Sequence, residues 1–188
     1  NRLAQAAACL EEALAIDPRL AQAHYHLGLL LSRQGDFDRS ISSQLRALAI
    51  DPALAEACTN LGYSCYALGR HDDAMSAYRK AITIRPSYAR AHYNMGIACM
   101  AQRKLDAAVI SLRRTSISVP LLAEAHLCAG NIFNLFLGKQ EAALHWYQNA
   151  LVVKPASADV HFAMGDALLK LARPEEAATC YRRAMKEN

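Results

Sequence analysis

The 188-residue chain contains few aromatic residues and no long uninterrupted run of apolar residues. Aromatic side chains make up 7% of the sequence, with a single tryptophan. No segment reaches the roughly 18 uncharged apolar residues that a membrane-spanning helix requires. We therefore predict that the chain does not insert into a membrane.

The excess of positive over negative charge is also small. The chain has 21 Lys and Arg residues against 17 Asp and Glu, a net charge of +4, and no basic run is longer than two residues. Proteins that bind single-stranded nucleic acid combine a dense basic track with aromatic side chains on which bases stack. The sequence therefore predicts no nucleic-acid partner.

Motifs of catalysis and signals of β-strands are missing as well. The sequence has no phosphate-binding loop, no nucleophile elbow and no pair of catalytic carboxylates. Alternating β-branched runs bounded by turn dipeptides are absent, so nothing competes with a helical prediction. We expect an all-α fold, no enzyme activity within these residues and no cofactor.

The seven histidines and six cysteines contain no Cys-x-x-Cys motif. Four of the histidines fall 34 or 35 residues apart or at multiples of that interval: His24, His92, His126 and His161. Packed helices lie about 8–10 Å apart, whereas zinc ligands must reach one ion at about 2.0–2.3 Å. We therefore predict packing roles and no metal site. The scattered thiols favour a reducing compartment, and hence the cytoplasm.

Prolines and glycines are few, but nearly all of them fall into columns with a period of 34 or 35 residues. The prolines of the column are Pro18, Pro52, Pro86, Pro120 and Pro155. The first glycine column contains Gly28, Gly62, Gly96, Gly130 and Gly165, and the second contains Gly35, Gly69 and Gly138. A fixed period of this length indicates an internal structural repeat.

Each repeat predicts two helices. In residues 55–88, small and apolar residues recur at helical spacing, and Gly69 has the position of a left-handed helix cap. Asp72 and Asp73 suit the positive end of a second helix, which Pro86 prevents from continuing. The extra residue between Gly130 and Gly138 predicts a longer turn or a bulged helix.

The repeats contain, at fixed spacing, apolar residues, Leu-Gly or its equivalent, alanine, an aromatic residue and proline. This pattern resembles the tetratricopeptide repeat. In the second full repeat these residues are Cys58, Leu61-Gly62, Cys65, Ala74, Tyr78 and Pro86. The first full repeat departs from the motif at Ser40 and Gln44. The resemblance covers the chain as one array, 1–188, in which half a repeat at 1–20 precedes full repeats at 21–54, 55–88, 89–122, 123–157 and 158–188.

The resemblance implies a right-handed α-solenoid whose concave groove binds an extended peptide or partner segment. The stripe of the first helices that would face this groove supplies the candidate binding residues. They are Tyr25, Leu29, Asn60, Tyr63, Tyr66, Arg90, Tyr93, Asn94, Ile97, Met100, Asn131, Asn134, Phe162 and Asp166. Tyrosine favours binding surfaces because it offers a large contact area and a hydroxyl at low entropic cost.

Asn60 and Asn94 occupy equivalent positions one repeat apart. Asparagine is disfavoured inside helices, and its amide can both donate to and accept from a peptide backbone. The pair is similar to the asparagine ladder of the repeat superhelix in O-linked N-acetylglucosamine transferase. The other three positions of the ladder hold His26, Cys128 and Ala163, and Asn131 and Asn134 are candidate substitutes. A dicarboxylate clamp is not expected, because the stripe has Arg90 but no lysine in the places that the clamp needs.

Three functions remain open. The first is a protein-interaction module that acts as an adaptor or scaffold and binds a protein or peptide. The second is the substrate-selecting arm of a larger enzyme such as a glycosyltransferase. The third is a scaffold that self-associates through its terminal helices, at Leu3–Leu14 and Ala177–Met185. A start at Asn1 and the lack of a polar capping helix are what we expect of the second and third functions.

Overall fold

The structure, a computed structural model, describes residues 2–115 and 122–187, and within these ranges it is helical with no strand. The proline-column residue Pro120 lies outside the described residues. The α-helices are α1 (Arg2–Ile16), α2 (Ala21–Arg33), α3 (Phe37–Ile50), α4 (Ala55–Ala67), α5 (His71–Ile84), α6 (Ala89–Ala101), α7 (Leu105–Thr115), α8 (Leu122–Asn131), α9 (Gln140–Val153), α10 (Ala158–Lys170) and α11 (Pro174–Glu187). The predicted all-α fold is confirmed.

The helices pack as consecutive pairs in two compact units, Asn1–Ala98 and Cys99–Asn188. In the first unit α2 packs on α3 and α4 on α5, and α3 joins one pair to the next through α4. In the second unit α8 packs on α9 and α10 on α11, and α9 contacts α10. Each pair is thus one helix-turn-helix repeat, stacked on its neighbour as in a solenoid.

The turn inside each repeat places one residue in the left-handed conformation. Gly35, Gly69 and Gly138 have φ angles of +83°, +74° and +62°. This conformation lets the Gly69 N–H bond the carbonyl of Tyr66, and the following N–H bond that of Cys65, and so satisfies carbonyls at the helix end. Two repeats lack the glycine, and Arg103 and Ala172 adopt φ angles of +57° and +55° there. The backbone geometry therefore persists where the sequence signal is absent.

Small residues let the two helices of a repeat approach closely. A Cβ atom placed on Gly62 would lie 2.6 Å from the ring of Tyr78, which is 1% exposed. Gly130 meets Tyr147 in the same way, and burial raises the pKa of the Tyr147 phenol to about 12. The tyrosine ring fills the space that the missing side chain leaves, and this contact lies at the centre of these two helix pairs.

The first full repeat replaces this tyrosine with a buried polar cluster. Gln44 is fully buried and donates from Nε2 to the carbonyl of Tyr25 at 3.2 Å. Ser40, also fully buried, donates to the carbonyl of Gly28 at 2.8 Å, and its Oγ lies 2.9 Å from Oγ of Ser64. The departure at Ser40 and Gln44 therefore keeps the repeat geometry with hydrogen bonds in place of ring packing.

The extra residue of the fourth repeat forms a π-helical segment, Ile132–Phe136, directly after α8. The N–H of Leu137 bonds the carbonyl of Ile132 at 3.1 Å, the wider loop of a π-helix. The predicted bulge of this helix is confirmed.

Two of the column histidines connect the first helix of a repeat, by a hydrogen bond, to the proline in the turn before that helix. His24 and His92 are buried, and their Nε2 atoms lie 3.0 and 2.8 Å from the carbonyl oxygens of Pro18 and Pro86. A carbonyl only accepts, so Nε2 carries the donated hydrogen. The column histidines thus pack, as predicted, and also hold the turn between repeats.

Replacing His92 with phenylalanine is expected to lower the free energy of unfolding by about 1–3 kcal/mol, because the Pro86 carbonyl loses its donor in a partly buried site. The matched control is His26→Phe, at an exposed position two repeats earlier. Urea unfolding monitored by circular dichroism measures both variants. Equal stability of the two variants would contradict a role for the histidine–proline hydrogen bond.

Candidate functional site

The first helices of three successive repeats, α2, α4 and α6, enclose a pocket of about 280 Å³ within the first unit. Its lining residues are Leu29, Ser32, Arg33, Asn60, Tyr63, Arg90 and Asn94. Five of the predicted binding residues therefore meet in one place, although they are spread over 66 positions of sequence, from Leu29 to Asn94.

Asn60 lines this pocket, and its side chain has a buried donor without a hydrogen-bond partner. Its side chain is 7% exposed, and its Nδ2 atom has no hydrogen-bond partner among the described residues. A buried amide without a partner is costly, so native structures usually supply one from protein, water or a ligand. Asn94 lines the same pocket one repeat further on and is half-buried. The two amides therefore lie one repeat apart at the same pocket.

Two guanidinium groups give the pocket positive charge. Arg33 and Arg90 are both exposed, and neither forms an ion pair with a carboxylate in the described part of the chain. The nearby Glu56 is engaged elsewhere, by Arg85 at 2.7 Å. Burial raises the pKa of the Tyr88 phenol, and the charge of Arg90 opposes that rise. The pocket therefore favours an anionic group.

Tyr63 forms an apolar side of the pocket. It is 47% exposed, and its ring lies 6.3 Å from the ring of Phe37 in an edge-on arrangement. Phe37 thus packs edge-on near the ring, and nearly half of the Tyr63 surface stays accessible. Such a rigid, half-exposed aromatic residue contributes strongly to binding when a partner covers it.

The other predicted residues of α2 and α4 are more enclosed. Tyr25 is half-buried, with its ring 4.7 Å from that of His26, and it packs against the core cluster of the first unit. Tyr66 is half-buried, 5.4 Å from the ring of His71. Neither lines the pocket.

Three further predicted residues lie on α6 and are half-buried: Tyr93, Ile97 and Met100. Met100 belongs to the second unit. They stay predicted binding residues outside the pocket lining.

In the second unit, three of the predicted polar residues are occupied by their own chain. Asn131 accepts a hydrogen bond from the Tyr147 hydroxyl at 2.9 Å, and Asp166 accepts one from the Tyr181 hydroxyl at 2.7 Å. Asn134 is 3% exposed and accepts from Nζ of Lys170 at 3.0 Å. The structure therefore does not bring Asn134 to an open surface, where a substitute for the asparagine ladder would have to be.

Phe162 lines a different concavity of the second unit. It is 57% exposed, its ring lies 5.5 Å from that of Tyr181, and Asp159 and Met185 lie at the same surface. Phe162 therefore stays a separate candidate within the second unit.

Sequence reasoning missed Arg33 as a pocket residue. The predicted stripe took positions i, i+3, i+7 and i+10 of each first helix. In α2 the last of these positions is Ser32, so the stripe leaves out Arg33. The signal available in the sequence was helical periodicity itself, because Arg33 lies four residues after Leu29 and so shares its face.

No group of three His, Cys, Asp or Glu side chains in residues 2–115 and 122–187 is arranged to hold a metal ion. None of the described helices is long and apolar enough to cross a membrane.

Family comparison identifies the repeat. The family model described as "TPR repeat" matches residues 1–35, 62–103 and 137–171, which is more than half of the chain. Two models described as "Tetratricopeptide repeat" match residues 21–54 and 158–188. Among curated proteins, no sequence matches the chain significantly.

Solved structures share the fold at low sequence identity. A crystal structure of MamA is 24% identical, with a TM-score of 0.76, over 86% of this chain and 94% of that one. PilF of Pseudomonas aeruginosa is 23% identical, with a TM-score of 0.82, over 89% and 76%. YrrB, described as a TPR protein with an unusual peptide-binding site, is 19% identical, with a TM-score of 0.72, over 95% and 92%.

Proposed function

Because the chain belongs to the tetratricopeptide repeat family, we propose that it is a protein-interaction module whose pocket between α2, α4 and α6 binds an extended segment of a partner protein. The observation that carries this proposal is the unsatisfied, buried amide of Asn60 at a pocket that is also lined by Asn94, Tyr63 and two arginines without an ion pair to a described carboxylate. As an adaptor, or as the selecting arm of a larger protein, the chain performs the same binding step.

An extended segment suits the pocket because of what the pocket offers. A peptide in extended form exposes its own N–H and C=O groups, which need partners when water is displaced. The Asn60 and Asn94 amides each provide a donor and an acceptor for such groups. YrrB, a structural neighbour with the same fold, is described as having a peptide-binding site, which is consistent with this use of the repeat surface.

The charge of the pocket selects among segments. Arg33 and Arg90 lie on α2 and α6, on the two sides of Asn60 and Tyr63 on α4. A guanidinium group pairs with a carboxylate through two parallel hydrogen bonds, and this pairing is stronger than a hydrogen bond between neutral groups. We infer that the bound segment carries an acidic side chain, with a small or apolar residue beside it against Tyr63 and Leu29.

The test uses a displayed library of random 12-residue peptides selected on the full chain. Binding of the selected peptides is measured by fluorescence anisotropy with the wild type and with the double variant Tyr63→Ala/Asn94→Ala. We expect the double variant to weaken binding by about 10- to 100-fold, because it removes the aromatic contact and one of the two amides. Circular dichroism should show unchanged helix content, since Tyr63 is exposed and Asn94 half-buried.

The matched control is the double variant Phe136→Ala/Asn149→Ala, which removes an exposed aromatic residue and a half-buried amide from the second unit. It should bind the selected peptides as the wild type does. Retained affinity in Tyr63→Ala/Asn94→Ala, or an equal loss in the control, would count against peptide binding in this pocket.

A further inference from the structure

We propose that a second groove of the first unit, between α1 and α3, binds an amphipathic helix of a partner protein that carries an acidic side chain. The groove has a volume of about 720 Å³. Its floor is formed by α2 residues His24, Leu27 and Leu31, which are not those that line the peptide pocket. The inference therefore concerns a different face of α2 and a different ligand, and it does not depend on the proposed peptide binding.

Small side chains on its walls keep the groove open. Ala15 on α1 and Ser42, Ser43 and Ala49 on α3 line it, over a floor in which Leu31 is 2% exposed. Larger residues at these positions would fill the space between the two helices. The groove thus offers apolar surface, with Ser42 and Ser43 on its α3 wall.

The backbone around the groove determines the form of the ligand. Floor and walls are α-helices, whose N–H and C=O groups are already bonded within each helix. An extended strand would leave its own backbone groups unpaired against this surface, and the groove has no asparagine to receive them. A helix satisfies its backbone internally and packs into a groove between helices through side chains alone. The occupant is therefore a helix.

Charge at the rim defines the polar residue of that helix. Arg39 is neutralised by Glu11 at 2.8 Å and lies 3.5 Å from Asp36. Arg46, about two helical turns further along α3, is exposed and forms no ion pair with any described carboxylate. An acidic side chain on the bound helix completes this pair.

Apolar residues at the far end of the groove provide the hydrophobic contact. Ile50 lines it and is 38% exposed, and Ile16 at the end of α1 is 88% exposed. From Arg39 to Ile50 the α3 wall extends about 17 Å at the rise of an α-helix, which matches a bound helix of about three turns. Such a helix would present apolar side chains at i, i+3, i+4 and i+7 to Leu31, Ala49 and Ile50.

The experiment selects helical peptides on the full chain. The probe is a displayed library of 14-residue peptides on an alanine-rich, hydrocarbon-stapled helix with eight randomised positions. We expect the enriched peptides to carry Leu or Ile at helical spacing and a Glu or Asp at one fixed position. Ala49→Trp, which fills the groove from an exposed position, should abolish their binding. Arg46→Glu should weaken it about 10-fold, and exchanging the peptide's acidic residue for Lys should restore affinity for that variant.

Leu45→Trp is the matched control. It introduces the same indole side chain at an exposed position of α3 that does not line the groove, and it should leave binding unchanged. The proposal is overturned if no helical peptide is enriched, or if enriched peptides bind Ala49→Trp as they bind the wild type. It is also overturned if sedimentation shows the wild type self-associating and Ala49→Trp monomeric, because the occupant is then a second copy of the chain. Thermal unfolding of each variant distinguishes a lost site from a lost fold.

Discussion

Tyr78→Ala is expected to lower the free energy of unfolding by about 3–5 kcal/mol, the range for removing a fully buried aromatic side chain. The ring is 1% exposed and lies against the backbone of Gly62, so its removal leaves a cavity between α4 and α5 that neither helix can close. Gly62 has no side chain to move into that space. Since domains of this size are stable by only about 5–15 kcal/mol, this loss is a large fraction of the total stability.

Tyr63→Ala is the matched control, because it removes the same ring from the same repeat at a position that is 47% exposed. Its unfolding free energy should stay within about 1 kcal/mol of the wild type. Urea unfolding measured by circular dichroism compares the two variants. If Tyr78→Ala and Tyr63→Ala are equally stable, the contact of a tyrosine ring with glycine does not hold the helix pair together.

The same contrast separates stability from binding. In a stack of repeats, each repeat is stabilised by its own helix pair and by its nearest neighbours. Buried tyrosines such as Tyr78 and Tyr147 contribute to the pair, whereas Tyr63 contributes little to it and is open to a ligand. Tyr78→Ala should therefore reduce binding only through unfolding, and Tyr63→Ala should reduce it in a protein that remains folded.

The repeat architecture could be predicted from the sequence because glycine and proline report backbone requirements directly. Gly69 marks a left-handed turn, and Gly62 marks a point where a ring touches the backbone. Where the required conformation is held by another residue, as at Arg103 and Ala172, the sequence gives no signal. The helix pair forms there because packing on both sides of the turn determines the backbone, at the cost of a strained φ angle.

The candidate site could be predicted only in part, for two physical reasons. Periodicity identifies the face on which Leu29, Asn60 and Asn94 lie, but not how far a neighbouring helix covers it. Asn134 lies in the π-helical segment, where it is buried and accepts a hydrogen bond from Lys170. Hydrogen bonds between distant positions, such as Tyr181 to Asp166, depend on the packing of two helices and have no counterpart in sequence spacing.

The groove between α1 and α3 had no sequence signal that distinguished it from ordinary packing. Ala15, Ser42 and Ala49 are unremarkable residues for the outer side of a helix. They become significant only when the separation of the two helices shows that nothing larger fills the gap between them. Small residues on a helix surface thus indicate either close packing or an open groove, and only the structure decides between these.

Reversing both charges of the peptide pocket, in the double variant Arg33→Glu/Arg90→Glu, is expected to weaken binding of acidic peptides selected on the wild type by about 100-fold or more. Losing a hydrogen-bonded charge partner in an interface costs about 2–5 kcal/mol, and reversal adds repulsion. Anisotropy titrations at low and high salt measure the effect, which should shrink as salt screens the charges.

The control keeps the net charge equal. Arg79→Glu/Arg182→Glu changes two exposed arginines outside the pocket, and because each reversal lowers the charge by two, both double variants bring the chain from +4 to zero. If attraction to acidic peptides came from net charge alone, the two double variants would bind equally weakly. A loss confined to Arg33→Glu/Arg90→Glu identifies the pocket as the source.

The outcome also separates two parts of the proposed function. If Arg33→Glu/Arg90→Glu binds as the wild type does while Tyr63→Ala/Asn94→Ala does not, the pocket holds a peptide backbone and the inferred acidic side chain is wrong. If both double variants bind normally, the segment is not held by this pocket at all. Loss in both, with the two controls unaffected, is expected when the Asn60 and Asn94 amides hold the backbone and the two guanidinium groups hold an acidic side chain in one site.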